Sequence, residues 1–310
     1  MRKKNVKVVL AGGLGNQLFQ FFAGQYYASK TGSQLVVNAM LSQFGRTGHS
    51  DWIEAFTLVE GVKLEISKSR HAASYIWFMA VRRIRGLEQL VLGLLPGFHG
   101  LRARHFRSKG IGRDKDFEQV SRVREIVGYF QTSFYLDWLE NHFGRSLTPS
   151  LRNPSPWFIT QRKKLTEISV LSLHVRRGDY VREAPVFGLL SGAYYKKATE
   201  SLAAAGHRWD QIWVYSDDIE SAMIELRKHG LENLVPVVPP PGTHSAESML
   251  LMGSGRYLVI ANSTFSWWAA RFADGAEIVA PEKWFRGLDD PLELGVPSWK
   301  TVEANWLELG

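Results

Sequence analysis

Residues 257–272 read YLVIANSTFSWWAARF. The run 257–261 is apolar enough for a buried strand, Asn262, Ser263, Thr264 and Ser266 crowd one polar turn, and a Trp-rich helix follows. Strand, polar turn and helix is the repeating unit of a parallel sheet with crossover helices. The same order recurs at 171–180 (LSLHVRRGDY) and at 213–226 (WVYSDDIESAMIEL). Strands are expected at 168–175, 212–216, 234–238, 257–261 and 276–280, with helices between them. The fold class is therefore α/β.

The first half begins in the same way. A strand is expected over Val6–Leu10, then a Gly-rich turn, a helix from about Gly15 to Lys30, and a second strand over Leu35–Asn38. The Ser- and Pro-rich stretch Arg145–Pro156 (RSLTPSLRNPSP) is the expected linker. It separates an N-terminal domain, 1–150, from a C-terminal domain, 151–310, whose tail is free to return to the first.

Gly12–Gln20 (GGLGNQLFQ) looks at first like a dinucleotide fingerprint. Leu18 stands where the third glycine is needed, and Asn38 ends the second strand where an acidic residue would hold a ribose. A nicotinamide dehydrogenase is excluded on these grounds. The chain also has no G-x-x-x-x-G-K-[ST], H-E-x-x-H or G-x-S-x-G, which removes the common NTPase, metallopeptidase and hydrolase readings.

Of the 310 residues, 45% are hydrophobic and 22% charged, the balance of an ordinary globular chain. Cysteine is absent, so there is no disulfide framework, thiolate metal site or cysteine nucleophile. That fits a reducing compartment, and the short apolar run after the basic N-terminus reads as a cytoplasmic start. The net charge of +8 is local. Residues 68–109 hold nine Lys and Arg against one acid, Glu88, so the rest of the chain balances to zero. A nucleic-acid binder spreads its charge along a face, so no nucleic-acid partner is expected. Within this segment Ala80, Ile84, Leu87, Val91 and Leu95 fall at helical spacing beside Arg82 and Arg85. Such a helix packs on its own domain or rests on an anionic membrane; a peripheral contact through 68–109 is the second reading.

Three strand ends carry candidate chemistry, since open α/β sheets bind ligands there. In 171–180 the strand bearing His174 ends in Arg176 and Arg177, followed by Asp179. Guanidinium forks match phosphate oxygens, while Asp179 could equally neutralise one of them in a structural ion pair. In 257–272 the hydroxyls of Ser263, Thr264 and Ser266 suit a phosphate at a helix N-terminus, against simple N-capping. Trp267 and Trp268 read as core. Asp217 and Asp218 are adjacent and open a helix, so helix capping explains them better than a metal site.

Taken together, GGLGNQLFQ (12–20), GYFQTSFYL (128–136), LHVRRGDYV (173–181), YYKKA (194–198), YSDD (215–218), LLMGSGRYLVIANSTFSWWAA (250–270) and APEKW (280–284) resemble the α-1,2-fucosyltransferase family. The resemblance implies a GT-B-like fold, with two Rossmann-like domains facing a cleft. It further implies metal-independent, inverting transfer of fucose from GDP-fucose to the 2-hydroxyl of a terminal galactoside, without a cofactor, in bacterial surface-glycan assembly. By the same resemblance Arg176 holds the donor's β-phosphate, with Arg177 beside it. His174 and the turn of Asn262, Ser263, Thr264, Phe265 and Ser266 hold guanine and phosphates. Gly13, Gly15 and Asn16 form a loop on the donor, and Asp179 is the candidate base. In the family an acidic residue stands three positions before Leu-Met to read guanine. Here Ser248 occupies that position and Glu247 precedes it, so Glu247 is expected to read the base. The alternatives are transfer of a different GDP-sugar and noncatalytic binding of a nucleotide or glycan.

Overall fold

The computed structural model describes residues 4–39, 53–59, 62–65, 105–108, 111–290 and 292–308. The expected helix over 80–95, and almost all of the basic segment 68–109, lie outside the described residues. Among the described residues no helix is long and apolar enough to cross a membrane.

The chain divides into two compact units, 1–54 with 58–147, and 55–57 with 148–310. The division falls inside the Ser- and Pro-rich stretch. It differs from a cut at 150 because Phe56 bridges antiparallel to Leu151, while Thr57 N donates to Ser150 O at 2.9 Å. These contacts tie 55–57 and 148–150 to the second unit.

The first unit holds a five-stranded parallel sheet in the order β3-β2-β1-β5-β4, with β1 Asn5–Val9, β2 Gln34–Asn38, β3 Lys63–Glu65, β4 His105–Arg107 and β5 Glu125–Val127. Helix α1, Leu14–Thr31, links β1 to β2 and stops at Gly32 in the left-handed conformation. Its apolar side meets a cluster of aromatic rings that includes Tyr26, Tyr27, Phe117, Phe130 and Tyr135. Phe117 lies on the short α2, Lys115–Gln119, and Tyr135 on α3, Phe134–Phe143.

The second unit holds a six-stranded parallel sheet ordered β11-β10-β9-β6-β7-β8. Its strands are β6 Val170–Val175, β7 Gln211–Ser216, β8 Leu234–Pro236, β9 Tyr257–Val259, β10 Glu277–Pro281 and β11 Lys300–Val302. The helices between them are α4 Pro156–Glu167, α5 Ala184–Phe187, α6 Gly192–Ala204, α7 Ile219–Lys228, α8 Ser245–Met252 and α9 Thr264–Phe272. Each expected strand is present, shifted by no more than two residues at either end. Every residue of β6 is buried, as a central strand covered on both faces requires. Leu171, Leu173 and Val175 pack with Tyr194, Val214, Leu226 and Val259 in the core. Trp267 and Trp268 are fully buried on α9, and Trp267 Nε1 donates to Leu294 O at 2.9 Å, so both are core as their sequence context implied.

The C-terminal stretch stays with the second unit. It adds β11, and Leu190 then bridges antiparallel to Trp306. Backbone bonds from Ser191 N to Asn305 O and from Leu307 N to Leu189 O flank that bridge.

Candidate functional site

The chain builds β6, β7 and β8 outward in one direction and then returns to place β9 on the other side of β6. The strand order reverses between β6 and β9, and a parallel sheet binds its ligand outside the carboxyl ends of the strands at such a point. His174, Arg176 and Arg177 come from the end of β6, and Asn262 to Ser266 from the end of β9.

Parallel pairing sets the neighbours of Arg176. His174 lies opposite Tyr215 and Val175 opposite Ser216, so the next residues of the two strands, Arg176 and Asp217, meet. Arg176 Nη1 lies 2.8 Å from Asp217 Oδ2, while Asp217 Oδ1 accepts from the backbone N of Arg177, also at 2.8 Å. Gly178 makes room for this clamp: it has φ +27°, and a Cβ there would collide with Asp217 Oδ2. The Arg176 guanidinium also lies 5.1 Å from the centre of the Tyr180 ring, within cation–π range. Tyr180 in turn donates its hydroxyl to Asn262 O at 3.2 Å and stacks on Phe187. One network therefore joins the turns after β6, β7 and β9.

Asp217 was read from sequence as a helix cap. Only Asp218 caps α7, accepting from Ser221 N at 3.1 Å. Hydrogen bonds from Ser221 hold its carboxyl below the usual range. Asp217 instead pairs with the Arg176 guanidinium and accepts from the Arg177 backbone. The information needed to find it was the adjacency of β6 and β7 in register, which a capping pattern does not contain.

Arg177 is 4% exposed, and its Nε and Nη2 have no hydrogen-bond partner. A buried cation with unmet donors is costly unless an anion reaches it. His174, also 4% exposed, has no partner for Nδ1 and lies with its ring 5.7 Å from that of Phe265. Burial, and then the Arg176 charge, push its imidazole down from 6.5 to about 3. It is neutral in the folded chain at pH 7. On unfolding it regains its ordinary value, so below about pH 6.5 the unfolded chain takes up a proton that the folded one does not. The stability that His174 contributes is complete above that pH. It falls as the pH drops toward about 3, by up to about 1.4 kcal/mol per pH unit. Urea unfolding at pH 7 and pH 5 should show a smaller acid loss for His174→Gln than for the parent. Equal losses would exclude His174 as the source.

The β9 turn differs in part from expectation. Ser263 caps α9, accepting from Phe265 N at 3.3 Å, and Thr264 and Phe265 are partly exposed at the helix start. Asn262, however, is 1% exposed and donates Nδ2 to the carbonyls of Phe187, Gly188 and Trp284 at 2.8–3.3 Å. Ser266 is fully buried and donates to Ala261 O and Ser263 O. Both side chains therefore brace the turn from within.

Glu247, expected to read the base, has partners within its own unit. It is 5% exposed on α8, and both its oxygens accept from Ser155, one from the backbone N at 3.2 Å and the other from the hydroxyl. Ser155 is the N-cap of α4, so the carboxylate anchors a helix end. Glu247→Gln should lower stability by about 1–2 kcal/mol and leave nucleotide affinity unchanged. Weakened GDP binding with an unchanged melting curve would restore Glu247 as the base reader. Ser248, the next residue, is half-buried.

Gly13, Gly15 and Asn16 belong to the other unit. Gly13 is the N-cap of α1, Gly15 is buried in its first turn, and Asn16 Oδ1 accepts from Gln131 Nε2 at 3.0 Å. Asp179 lies in the single turn Gly178–Val181, and its side chain is outside the described residues. Among the described residues no three His, Asp or Glu side chains gather as metal ligands.

Residues 126–286, just over half of the chain, match the profile of glycosyl transferase family 11. This stretch contains the Arg176–Asp217 clamp and the β9 turn. The chain belongs to glycosyl transferase family 11. It is 25% identical over 289 residues to an Escherichia coli α-1,2-colitosyltransferase, across 89% of this chain and 91% of that one. It is 28% identical over 317 residues to the Escherichia coli O-antigen biosynthesis glycosyltransferase WbnK, across 94% and 98%. The fold is similar to that of the fucosyltransferase NodZ from Bradyrhizobium, with a TM-score of 0.50 at 14% identity over 87% of this chain and 93% of that one. Two parallel α/β units in one chain of this family make the fold GT-B-like, and the protein is a glycosyltransferase.

Proposed function

We propose that this family 11 glycosyltransferase transfers fucose from GDP-fucose to the 2-hydroxyl of a terminal galactoside, with inversion and without a metal, in the assembly of a bacterial surface polysaccharide. The observation that carries the reading is the buried Arg177 guanidinium with unmet donors beside the clamped Arg176, at the strand-order reversal of the second unit. That arrangement suits a diphosphate. As the bond from fucose C1 to the phosphate oxygen breaks, its electron pair leaves with GDP, and a fixed guanidinium favours that charge more in the transition state than before it. The acceptor oxygen bonds C1 from the opposite face, and its proton passes to a base, for which Asp179 is the candidate. Metal independence is supported by the placement of Asp217 on Arg176 and of Asp218 on Ser221.

Transfer of a different GDP-sugar is the second reading, favoured by the named activity of the α-1,2-colitosyltransferase relative. Calorimetry with GDP, UDP and ADP, followed by transfer assays with GDP-fucose onto a galactoside with and without chelator, tests the proposal. Preference for GDP and chelator-resistant transfer are expected. Activity restored only by Mn²⁺ or Mg²⁺ would refute the metal-free mechanism. GDP binding without fucosyl transfer would favour the second reading.

A further inference from the structure

The second unit holds a cavity of about 200 Å³ at the carboxyl ends of β10 and β11. Neither the arginines after β6 nor the polar residues of the β9 turn line it. Pockets that enclose a drug-sized molecule run to about 300–1,000 Å³, so this one suits a single small unit and not a nucleotide. Trp284, Leu294, Val296 and Trp299 form its apolar wall. Its charged lining is two carboxylates, Glu282 and Asp290, with no Lys, Arg or His, so an anionic ligand is disfavoured.

The walls are fixed before any ligand arrives. Asp290 holds the loop from 284 to 290, its oxygens accepting from Trp284 N at 2.7 Å and Phe285 N at 2.8 Å. The buried Trp267 packs edge-on against Trp299, with ring centres 5.8 Å apart, and its Nε1 donates to Leu294 O. Glu282 N donates to Val302 O at 2.8 Å, which pins the exposed Glu282 beside the end of β11. Thr301, also exposed, adds a hydroxyl that can donate or accept.

The cavity adjoins the candidate site. Strand β10 pairs with β9, so their ends stand about 5 Å apart. Trp284 O accepts from Nδ2 of Asn262, in the turn after β9, at 3.1 Å. A residue of the cavity wall is thus bonded to the turn that shapes the candidate site.

We infer that this cavity is a second sugar subsite, which takes one neutral unit of the acceptor glycan inward from the unit that receives the transferred sugar. The inference rests on the proposed transfer to a terminal galactoside. A pyranose offers C–H faces to indole walls and a rim of hydroxyls to a carboxylate and a hydroxyl, which is the chemistry of this lining. Trp299 packs on the ring, while Glu282 accepts from its hydroxyls.

Kinetics on the intact chain with two acceptors test this: methyl galactoside, and a neutral tetrasaccharide ending in the same galactoside. The parent should show a KM about tenfold lower for the tetrasaccharide. Glu282→Ala should raise that KM by about tenfold and leave the methyl galactoside KM unchanged. Calorimetry of the tetrasaccharide without nucleotide should show the same loss, which keeps the subsite separate from the donor. If Glu282→Ala shifts both acceptors alike, or neither, the subsite is overturned while the transfer reading stands. A parent that fucosylates neither acceptor would overturn the transfer reading, and calorimetry then decides the subsite. No tetrasaccharide binding, or equal binding by parent and Glu282→Ala, overturns it. Should Glu282→Ala melt early, Thr301→Val, which keeps the side-chain shape, provides the same comparison.

Discussion

Arg176→Lys is expected to lose about a hundredfold or more in kcat while unfolding close to the parent. Arg176 has two tasks. Its Nη1 pairs with Asp217 at 2.8 Å, and under the proposed function its charge also meets the phosphate that leaves with GDP. Lysine carries the charge on one compact ammonium, which cannot hold the Asp217 carboxylate and two phosphate oxygens in a fixed plane. Removing one preorganised donor from a developing anion typically costs about 10²–10³ in rate. The pair is partly exposed, with side-chain exposures of 19% and 28%, so its loss should change stability little. Single-turnover assays with a matched urea melt would check this. A near-parental rate in Arg176→Lys would remove Arg176 from the reaction.

Asp217→Asn is expected to reduce kcat by about ten- to a hundredfold without raising the donor KM. The asparagine keeps an acceptor for the Arg177 backbone N and loses the charge that aims Arg176. A misdirected catalytic group costs rate on this scale even when binding persists. Removal of a negative charge beside the diphosphate leaves the site more cationic, so ground-state affinity should hold or improve. A helix cap would behave in the opposite way, with lower stability and an unchanged kcat. The split between kcat and KM therefore decides between the clamp and the cap. Gly178→Ala offers an independent check, because its Cβ would displace the same carboxylate.

Much of the fold was legible in the chain. The period and length of the apolar runs predicted β1, β2 and five of the six strands of the second unit, because a strand buried on both faces is written as a continuous apolar stretch. The sixth, β11, is three residues at the sheet edge with two of them exposed, and carries no such signal. Trp267 and Trp268 were legible as core for the same reason, since bulky aromatic residues following a central strand have nowhere else to pack. The motif HVRRGDY placed two arginines at the carboxyl end of β6, where an open α/β sheet binds its ligand.

Side-chain partners were the part that local sequence did not contain. Asn262 and Ser266 lie in a polar turn rich in hydroxyls, and nothing within 257–272 reveals that the carbonyls of Phe187, Gly188 and Trp284 converge on Asn262. Glu247 looked like an open carboxylate until the cap of a helix 92 residues earlier was seen to occupy it. Asp217 and Asp218 are neighbours in the chain and of the same type, yet one caps α7 while the other aims Arg176. Helix, strand and turn follow from interactions among residues a few positions apart, so the sequence by itself determined the α/β class, the strand positions and the arginine-bearing edge. Whether a polar atom faces a ligand or another part of the chain depends on which strands are neighbours and in what register. That was decided only when the sheet placed β7 and β9 on either side of β6.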